Sequence, residues 1–327
     1  MYLTKNLSTD PYFNMAAEEY FLDRFDGDLI MLWRNDKTVV VGKNQNTAEE
    51  VDASYAERSG IAVVRRLSGG GAVFHDLGNV NYTVIETFRD GLFSNYEYFT
   101  KPVCDYIRTL GIDAELSGRN DLLIDGMKFC GNAQTKRGEK FMHHGCILFA
   151  ADVADLSGVL TPGKLKIESK SVKSVRSRIT NIASHLDRQM SAEDFFNGLY
   201  EYFLNTSPDV KEYVITEEDQ RAIAELAKDK YETWEWNYGR SPAFTAGNAK
   251  KYEFGIVDAR FTVREGRMEE LRFYGDFFGV REISELEDQL RGVPYERAAI
   301  LKTLEGSGLS DYIGGMTPEE LTELLLG

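Results

Sequence analysis

The sequence predicts a mixed α/β protein with a small α+β unit at its C-terminal end. Three observations point there. Helix signals interleave with short apolar strand signals along the first part of the chain. The turn-rich stretch Tyr238-Gly239-Arg240-Ser241-Pro242 interrupts that pattern and suits a linker. At 327 residues, the chain also exceeds the usual size of one core. The expected division is therefore residues 1–245 and residues 246–327.

The elements follow in order. Asp10-Pro11 reads as an N-cap followed by proline in the first turn, opening a helix to about Phe25. Phe13, Ala17, Tyr20 and Phe21 share one face of it. Ile30 to Trp33 and Thr38 to Val41 are strands around a polar turn. Glu50 to Ser59 is a short helix closed by Gly60. Ile61 to Val64 leads into a glycine-rich segment, and Ala72 to Phe74 leads out. Val80, Tyr82 and Val84 alternate with Asn81 and Thr83, the period of a half-buried strand. Tyr98 to Leu110 is a helix stopped by Gly111. Asp125-Gly126, between two strand-like runs, signals a hairpin. Phe141 to Phe149 is a further strand, and Ala192 to Leu204 a further helix. Lys164 to Thr180 is polar, basic and serine-rich, the mark of a long loop that often serves as a lid. Beyond the linker, Tyr252 to Val263 and Met268 to Tyr274 are strands around Glu265-Gly266. Thr317-Pro318-Glu319-Glu320 reads as a capping box for the last helix.

Composition excludes several classes. A net charge of −15 makes a poor general binder of nucleic acid or anionic membrane. Cys104, Cys130 and Cys146 have no paired spacing, which argues against a disulfide framework or a CxxC metal site. No basic-then-apolar leader and no run of about 18 apolar residues is present. A soluble cytoplasmic protein is expected.

The segment Arg65-Arg66-Leu67-Ser68-Gly69-Gly70-Gly71-Ala72-Val73-Phe74-His75-Asp76 is the strongest functional signal. Glycine lets a ligand or another backbone approach bare main chain and permits positive φ. The segment has neither the Lys-Ser/Thr ending of a P-loop nor the Gly-x-Gly-x-x-Gly order of a dinucleotide fold. A turn needed only for backbone geometry is the alternative. Arg65 and Arg66 are strand neighbours, so at most one faces the glycines' pocket. Lys128 lies on the return strand of the hairpin, where an anionic ligand or Asp121 would pair it. A solvent-facing lysine is the plainer reading. His143 and His144 diverge on a strand, which favours packing or hydrogen bonding over metal binding. The basic residues Lys164 to Arg178 suit a solvated loop, a polyphosphate clamp or an acidic partner.

In this order, Arg65–Asp76, Ser117-Gly118-Arg119-Asn120-Asp121, Lys128-x-x-Gly131-x-Ala133, His143-His144-Gly145, Lys173–Asn181 and Trp234–Gly239 resemble lipoate–protein ligases. The resemblance covers nearly the whole chain. It implies a catalytic domain of the biotin/lipoyl-ligase type with mixed sheets, and an accessory C-terminal domain. It also implies ATP-dependent activation of lipoate to lipoyl-AMP and transfer to a lysine of a lipoyl domain. The acceptor would be a 2-oxoacid dehydrogenase E2 subunit or a glycine-cleavage H protein. Lys128 would be catalytic. Arg66, Gly71, Ala72, Val73, Phe74 and Lys128 would bind ATP. Gly69, Gly70, Gly71, His75, Lys128 and His144 would bind lipoate. Lys173, Ser174, Val175 and Arg176 would close on the adenylate, and Asp121 is the candidate Mg²⁺ ligand. Cys130 and Cys146 depart from the family's usual residues. They raise the alternative of a cysteine-dependent octanoyl or lipoyl transferase that uses no ATP.

Overall fold

The computed structural model describes residues 1–117, 120–152, 159–160, 179–206, 209–238 and 246–326. In chain order the strands before residue 239 are β1 (Tyr2–Lys5), β2 (Leu29–Trp33), β3 (Thr38–Val41), β4 (Ala62–Arg65), β5 (Val73–His75), β6 (Asn79–Thr87), β7 (Ala114–Ser117), β8 (Asp121–Ile124), β9 (Met127–Arg137), β10 (Lys140–Leu148) and β11 (Lys211–Glu212). Eight of them form one mixed sheet, ordered β11-β1-β2-β6-β10-β9-β8-β7. β3, β4 and β5 form a second, small sheet, with β3 parallel to β4 and antiparallel to β5.

Two helices sandwich the large sheet. α1 (Pro11–Arg24) is capped by Asp10, whose carboxylate accepts from the Tyr12 amide, as the Asp-Pro signal predicts. It is buried almost all round rather than on one face, because the sheet and the segment Glu217–Tyr231 enclose it. The helix Tyr96–Thr109 covers the opposite side of the sheet with Phe99, Val103 and Ile107.

That sandwich corrects the reading of β6. Its alternation is real, with Val80, Tyr82 and Val84 in the core under Tyr96–Thr109. Asn81 and Thr83 point the other way, yet they are buried too. The strand lies in mid-sheet with both faces covered, so it is not half-buried. The two strands around the polar turn form as read and enter different sheets, β2 the large one and β3 the small one. The expected helix from Glu50 to Ser59 divides into Thr47–Glu50 and Ala53–Arg58. Val51 leaves the helix to bridge Leu160, and Asp52 caps the second piece.

At the C-terminal end, β12 (Ala246–Tyr252), β13 (Gly255–Arg264) and β14 (Arg267–Gly275) make an antiparallel sheet. The expected strand from Tyr252 to Val263 thus breaks at Glu253-Phe254. Helices Ile283–Leu290, Arg297–Glu305 and Pro318–Leu326 pack on this sheet around a core of their own. The capping box is present: Thr317 N donates to Glu320 Oε2 (3.0 Å) and Glu320 N to Thr317 Oγ1 (3.2 Å). This unit touches the loop that follows β3 directly, through Gly275 N donating to Asn44 O (2.7 Å) and Lys43 paired with Glu282 (2.5 Å).

Candidate active site

The two arginines part as strand geometry requires. Arg65 turns away from the glycines and donates to the carbonyls of Gly42, Lys43, Gln45, Trp236 and Asn237 and to Thr47 Oγ1. Asn237 Oδ1 accepts from Arg65 N, and Trp236 Nε1 donates to Arg65 O. The Trp234–Tyr238 motif is therefore a bracket around this strand. Arg66 turns towards the glycines. It donates to the carbonyls of Gly69 (2.6 Å), Gly71 (2.9 Å) and Val40 (3.2 Å) and to Ser68 Oγ (3.0 Å). Burial pushes both guanidinium groups down to about 10, so both still carry charge at neutral pH.

Gly70 adopts φ +92°, and a Cβ there would meet Arg66 Nη2 at 3.0 Å and the Phe278 ring at 2.8 Å. The loop is thus shaped by an arginine below and by the C-terminal unit above. Gly69 faces that unit: a Cβ would run into the Phe277 carbonyl oxygen.

Between this loop and the large sheet lies a cavity of about 180 Å³. Its floor is a cross-strand row. Asp121 pairs with Gly131, Gly131 with Cys146, Cys146 with Asn81, and Asn81 with Trp33. Directly opposed residues share a face, so the row runs across β8, β9, β10, β6 and β2 on one side. Gly131, Cys146, Asn81 and Trp33 line the cavity, together with Lys128 at one end and His75. Met15, Val40, Ala72, Val73 and Phe278 make its apolar wall, and Gly70, Gly71 and Arg66 complete the loop side.

Lys128 projects over the bare Cα of Gly131. A Cβ on that glycine would lie 2.9 Å from Lys128 Nζ. The ammonium pairs with Asp121 at 2.7 Å, the partnership expected of a lysine in this strand. Each of the two side chains is about a third exposed, so the pair faces solvent at the cavity mouth. Thr180 N donates to Lys128 O (2.9 Å), which fastens the chain leaving residues 161–178 beside the lysine.

A hydrogen-bond relay backs the loop. Arg66 can only donate, so Ser68 Oγ accepts from it and donates to His144 Nε2 (2.6 Å). His144 Nδ1 then carries its proton and donates to Glu18 Oε1 (2.8 Å). Thr83 donates to the same oxygen (2.6 Å) and accepts from Trp33 Nε1 (2.9 Å). His143 points to the other face and stacks on Phe99 at 4.7 Å. Burial holds it well below the ordinary histidine range. The two histidines therefore diverge as expected. Among the described residues, no group of three or more His, Cys, Asp and Glu side chains is placed to hold a metal ion.

The cysteines are thiols. Burial pushes Cys146 up to about 12 and Cys130 well above the usual thiol range. Cys146 lines the cavity but accepts from Asn79 Nδ2 at 3.1 Å, and Cys130 sits in the core. A nucleophilic cysteine needs a thiolate or an adjacent base, and neither sulfur has one.

Of the residues singled out from sequence, Arg66, Gly70, Gly71, Ala72, Val73, His75, Lys128 and His144 surround one cavity. Asp121 reaches it through Lys128. Gly69 and Phe74 do not line it: Gly69 lies under Phe277, and Phe74 packs in the small sheet's core. Lys173, Ser174, Val175 and Arg176 lie outside the described residues, as do Gly118 and Arg119. The sequence reading missed Asn81, Trp33, Met15 and Phe278. The first was visible in the β6 alternation but read as solvent-facing.

Comparison with known proteins agrees with this geometry. The lipoyl protein ligase A/B catalytic domain matches residues 10–204, and the bacterial lipoate protein ligase C-terminus matches residues 241–325. The chain is 42% identical over 320 residues to the lipoate-protein ligase LplJ of Bacillus subtilis (strain 168), covering 97% of each. Among solved structures, the LipL1 protein of P. falciparum in complex with lipoate matches with a TM-score of 0.81 at 23% identity, over 99% of this chain and 98% of that one. A bipartite lipoate protein ligase from Thermoplasma acidophilum, described with its E2 lipoyl domain, gives 0.65 at 30% identity, over 75% and 98%. A lipoate-protein ligase A bound with ATP gives 0.62 at 30% identity, over 72% and 98%.

Proposed function

Because this chain belongs to the lipoate–protein ligase family, and so is an ATP-dependent ligase that joins lipoate to protein, we propose that the chemistry runs at the Lys128 end of the cavity. A carboxylate is a poor acyl donor. Its attack on the ATP α-phosphorus forms lipoyl-AMP and releases pyrophosphate. The acceptor lysine amine then attacks the acyl carbon, and AMP leaves. Neither step needs a covalent nucleophile from the enzyme, which suits two thiols held protonated.

The observation that carries the reading is the Lys128 ammonium at the mouth of a slender, largely apolar cavity. Placed there, it would neutralise the carboxylate and the α-phosphate as they approach. Gly70 and Gly71 would lie along the acyl chain, with Met15, Val40 and Val73 supplying apolar contact. Arg66 would act by holding the Gly69 and Gly71 carbonyls and by adding buried positive charge. The Gly71–Phe74 main chain would face the nucleotide. Asp121 suits Mg²⁺, since hard cations on nucleotides take one or two carboxylates besides phosphate oxygens. A bound ion would there offset phosphate charge. Residues 173–176 would cover the adenylate and exclude water.

Residues 1–245 would form the catalytic domain and residues 246–327 the accessory domain. The acceptor is proposed to be a lipoyl domain, of a 2-oxoacid dehydrogenase E2 subunit or a glycine-cleavage H protein. Dependence on ATP supports a cytoplasmic site of action, and no helix among the described residues is long and apolar enough to cross a membrane. Pyrophosphate release on mixing enzyme, ATP and lipoate tests the first step. A lipoyl mass increment on a lipoyl domain tests the second. Pyrophosphate release undiminished in Lys128→Ala, or a requirement for either cysteine, would overturn the assignment.

A further inference from the structure

The inner end of the cavity holds polar atoms that the proposed mechanism does not use. Asn81 is 1% exposed and lines the cavity, and neither its Nδ2 nor its Oδ1 has a hydrogen-bond partner among the described residues. His75 is 3% exposed and lines the same cavity, and its Nε2 is likewise without a partner. Buried polar atoms are ordinarily paired. Leaving three of them unpaired around one cavity points to a ligand that completes them.

The protonation of His75 can be worked out. Asn14 Nδ2 donates to the carbonyls of Ser8 and Arg34, which fixes that amide's orientation. The same nitrogen donates to Asn35 Oδ1, so Asn35 Nδ2 is the group facing His75 Nδ1 at 3.2 Å. His75 Nδ1 therefore accepts, and Nε2 carries the hydrogen in the neutral ring. Burial keeps the ring neutral by pushing its pKa down to about 3. The cavity end thus presents an N–H from His75 and an amide from Asn81. Both adjoin Trp33: its ring lies 5.9 Å from that of His75, and it pairs with Asn81 across the sheet.

The position matches one part of the substrate. Lys128 stands over Gly131, and Asn81 lies two strands further along the same row, roughly 10 Å at about 4.8 Å per strand. An acyl group whose carboxyl is at Lys128 places the end of its chain over Asn81 and His75. Lipoate carries a dithiolane there, whose sulfurs are weak hydrogen-bond acceptors. Octanoate carries only methylenes and a methyl group.

We propose that Asn81 and His75 select the dithiolane ring, their N–H groups donating to its sulfurs, so that the site discriminates lipoate from a plain fatty acid. This rests on the ligase reading above. A sulfur is a weak partner, but a methylene is none, and buried donors left unpaired against a ligand weaken its binding.

The test compares kcat/KM for ATP-dependent pyrophosphate release with lipoate, octanoate and the carbocyclic analogue in which a cyclopentyl ring replaces the dithiolane. The wild-type enzyme should prefer lipoate at least about tenfold over both. The carbocycle matters because it keeps the ring's shape and loses only the sulfurs. Asn81→Leu should shrink the preference to within a few-fold, by weakening lipoate more than octanoate. Equal use of lipoate and the carbocycle by the wild type overturns the proposal without needing any variant, and would mean that water completes these atoms. An unchanged ratio in a folded Asn81→Leu enzyme also overturns it. Failure of every acid to release pyrophosphate would instead defeat the ligase reading, so the two failures are distinct.

Discussion

Gly131→Ala tests the placement of the Lys128 ammonium with little change to the fold. Gly131 lies inside β9, its φ is not in the left-handed region, and alanine fits the backbone without strain. Apart from its two chain neighbours, a Cβ built there meets only Lys128 within 4 Å among the described residues, with Nζ at 2.9 Å and Cε at 3.0 Å. Unstrained contacts between such atoms need about 3.5–4 Å, so the lysine tip must retreat by roughly 0.6–1 Å. Lysine is flexible and its end is partly exposed, so the retreat costs the fold little. The substitution also removes glycine's freedom from the unfolded chain, worth about 0.4–1 kcal/mol in favour of folding. Catalysis is less tolerant. A misplacement near 1 Å of a charge that must meet a developing anion is worth about a hundredfold in rate, or about 2.7 kcal/mol of barrier.

Gly131→Ala should therefore unfold in urea at the wild-type midpoint or slightly above it, while lipoate-dependent pyrophosphate release falls about a hundredfold. Lys128→Ala sets the floor, at a loss of about 10²–10³-fold, as for removal of one transition-state donor. The double variant should be no slower than Lys128→Ala alone, because the glycine acts only through the lysine. Full activity in Gly131→Ala would refute the claim that this ammonium must sit where it does. Additive losses in the double variant would refute the claim that the glycine works through it.

Three further outcomes follow from particular contacts. Gly42→Ala drives a Cβ into the Gly70 carbonyl oxygen, backbone against backbone; it should destabilise by about 1–3 kcal/mol in urea unfolding, and an unchanged midpoint would contradict it. Cys130→Ala and Cys146→Ala should keep pyrophosphate release within a few-fold of wild type, and iodoacetamide should modify the folded protein slowly, since both thiols are protonated at neutral pH. His75 is held neutral when folded, with its pKa lowered to about 3 from 6.5 by burial; the unfolded chain takes up its proton first, so this stability is complete above about pH 6.5 and is lost as pH falls towards 3. Unfolding midpoints measured from pH 7.5 to 4 should decline, and less steeply in His75→Gln; parallel slopes would count against it.

Much of this was legible in the sequence because it is local. The Asp10-Pro11 and Thr317–Glu320 caps and the Asp125-Gly126 hairpin depend on residues a few positions apart, and all three form as read. The opposition of Arg65 and Arg66 needs only the two-residue strand period. The errors lie where a second layer decides. Asn81 and Thr83 look like the wet side of a strand until α1 and the glycine segment close over them. The sequence left open where the strands flanking the polar Arg34–Lys37 turn go, and only sheet pairing sends them to different sheets. Phe278 could not be placed at the cavity from its own surroundings, since it arrives from a unit more than a hundred residues away in the chain.

Three cations near the glycines illustrate how position, rather than residue type, divides their work. Arg65 directs its donors to protein oxygens of two separate segments, Gly42–Thr47 and Trp236–Asn237, which is architecture. Arg66 is buried and bonded to the loop it shapes, so its donors are committed to that loop while its charge adds to the field in the cavity it lines. Among the described residues Lys128 has one ion-pair partner, and it has a third of its surface open and a glycine beneath it in place of a side chain. A long flexible side chain with a single exchangeable carboxylate partner can follow a substrate's charge as it moves. A guanidinium tied to several backbone carbonyls cannot. We therefore propose that the catalytic charge is carried by the hairpin lysine, with the arginines fixing the walls it works against.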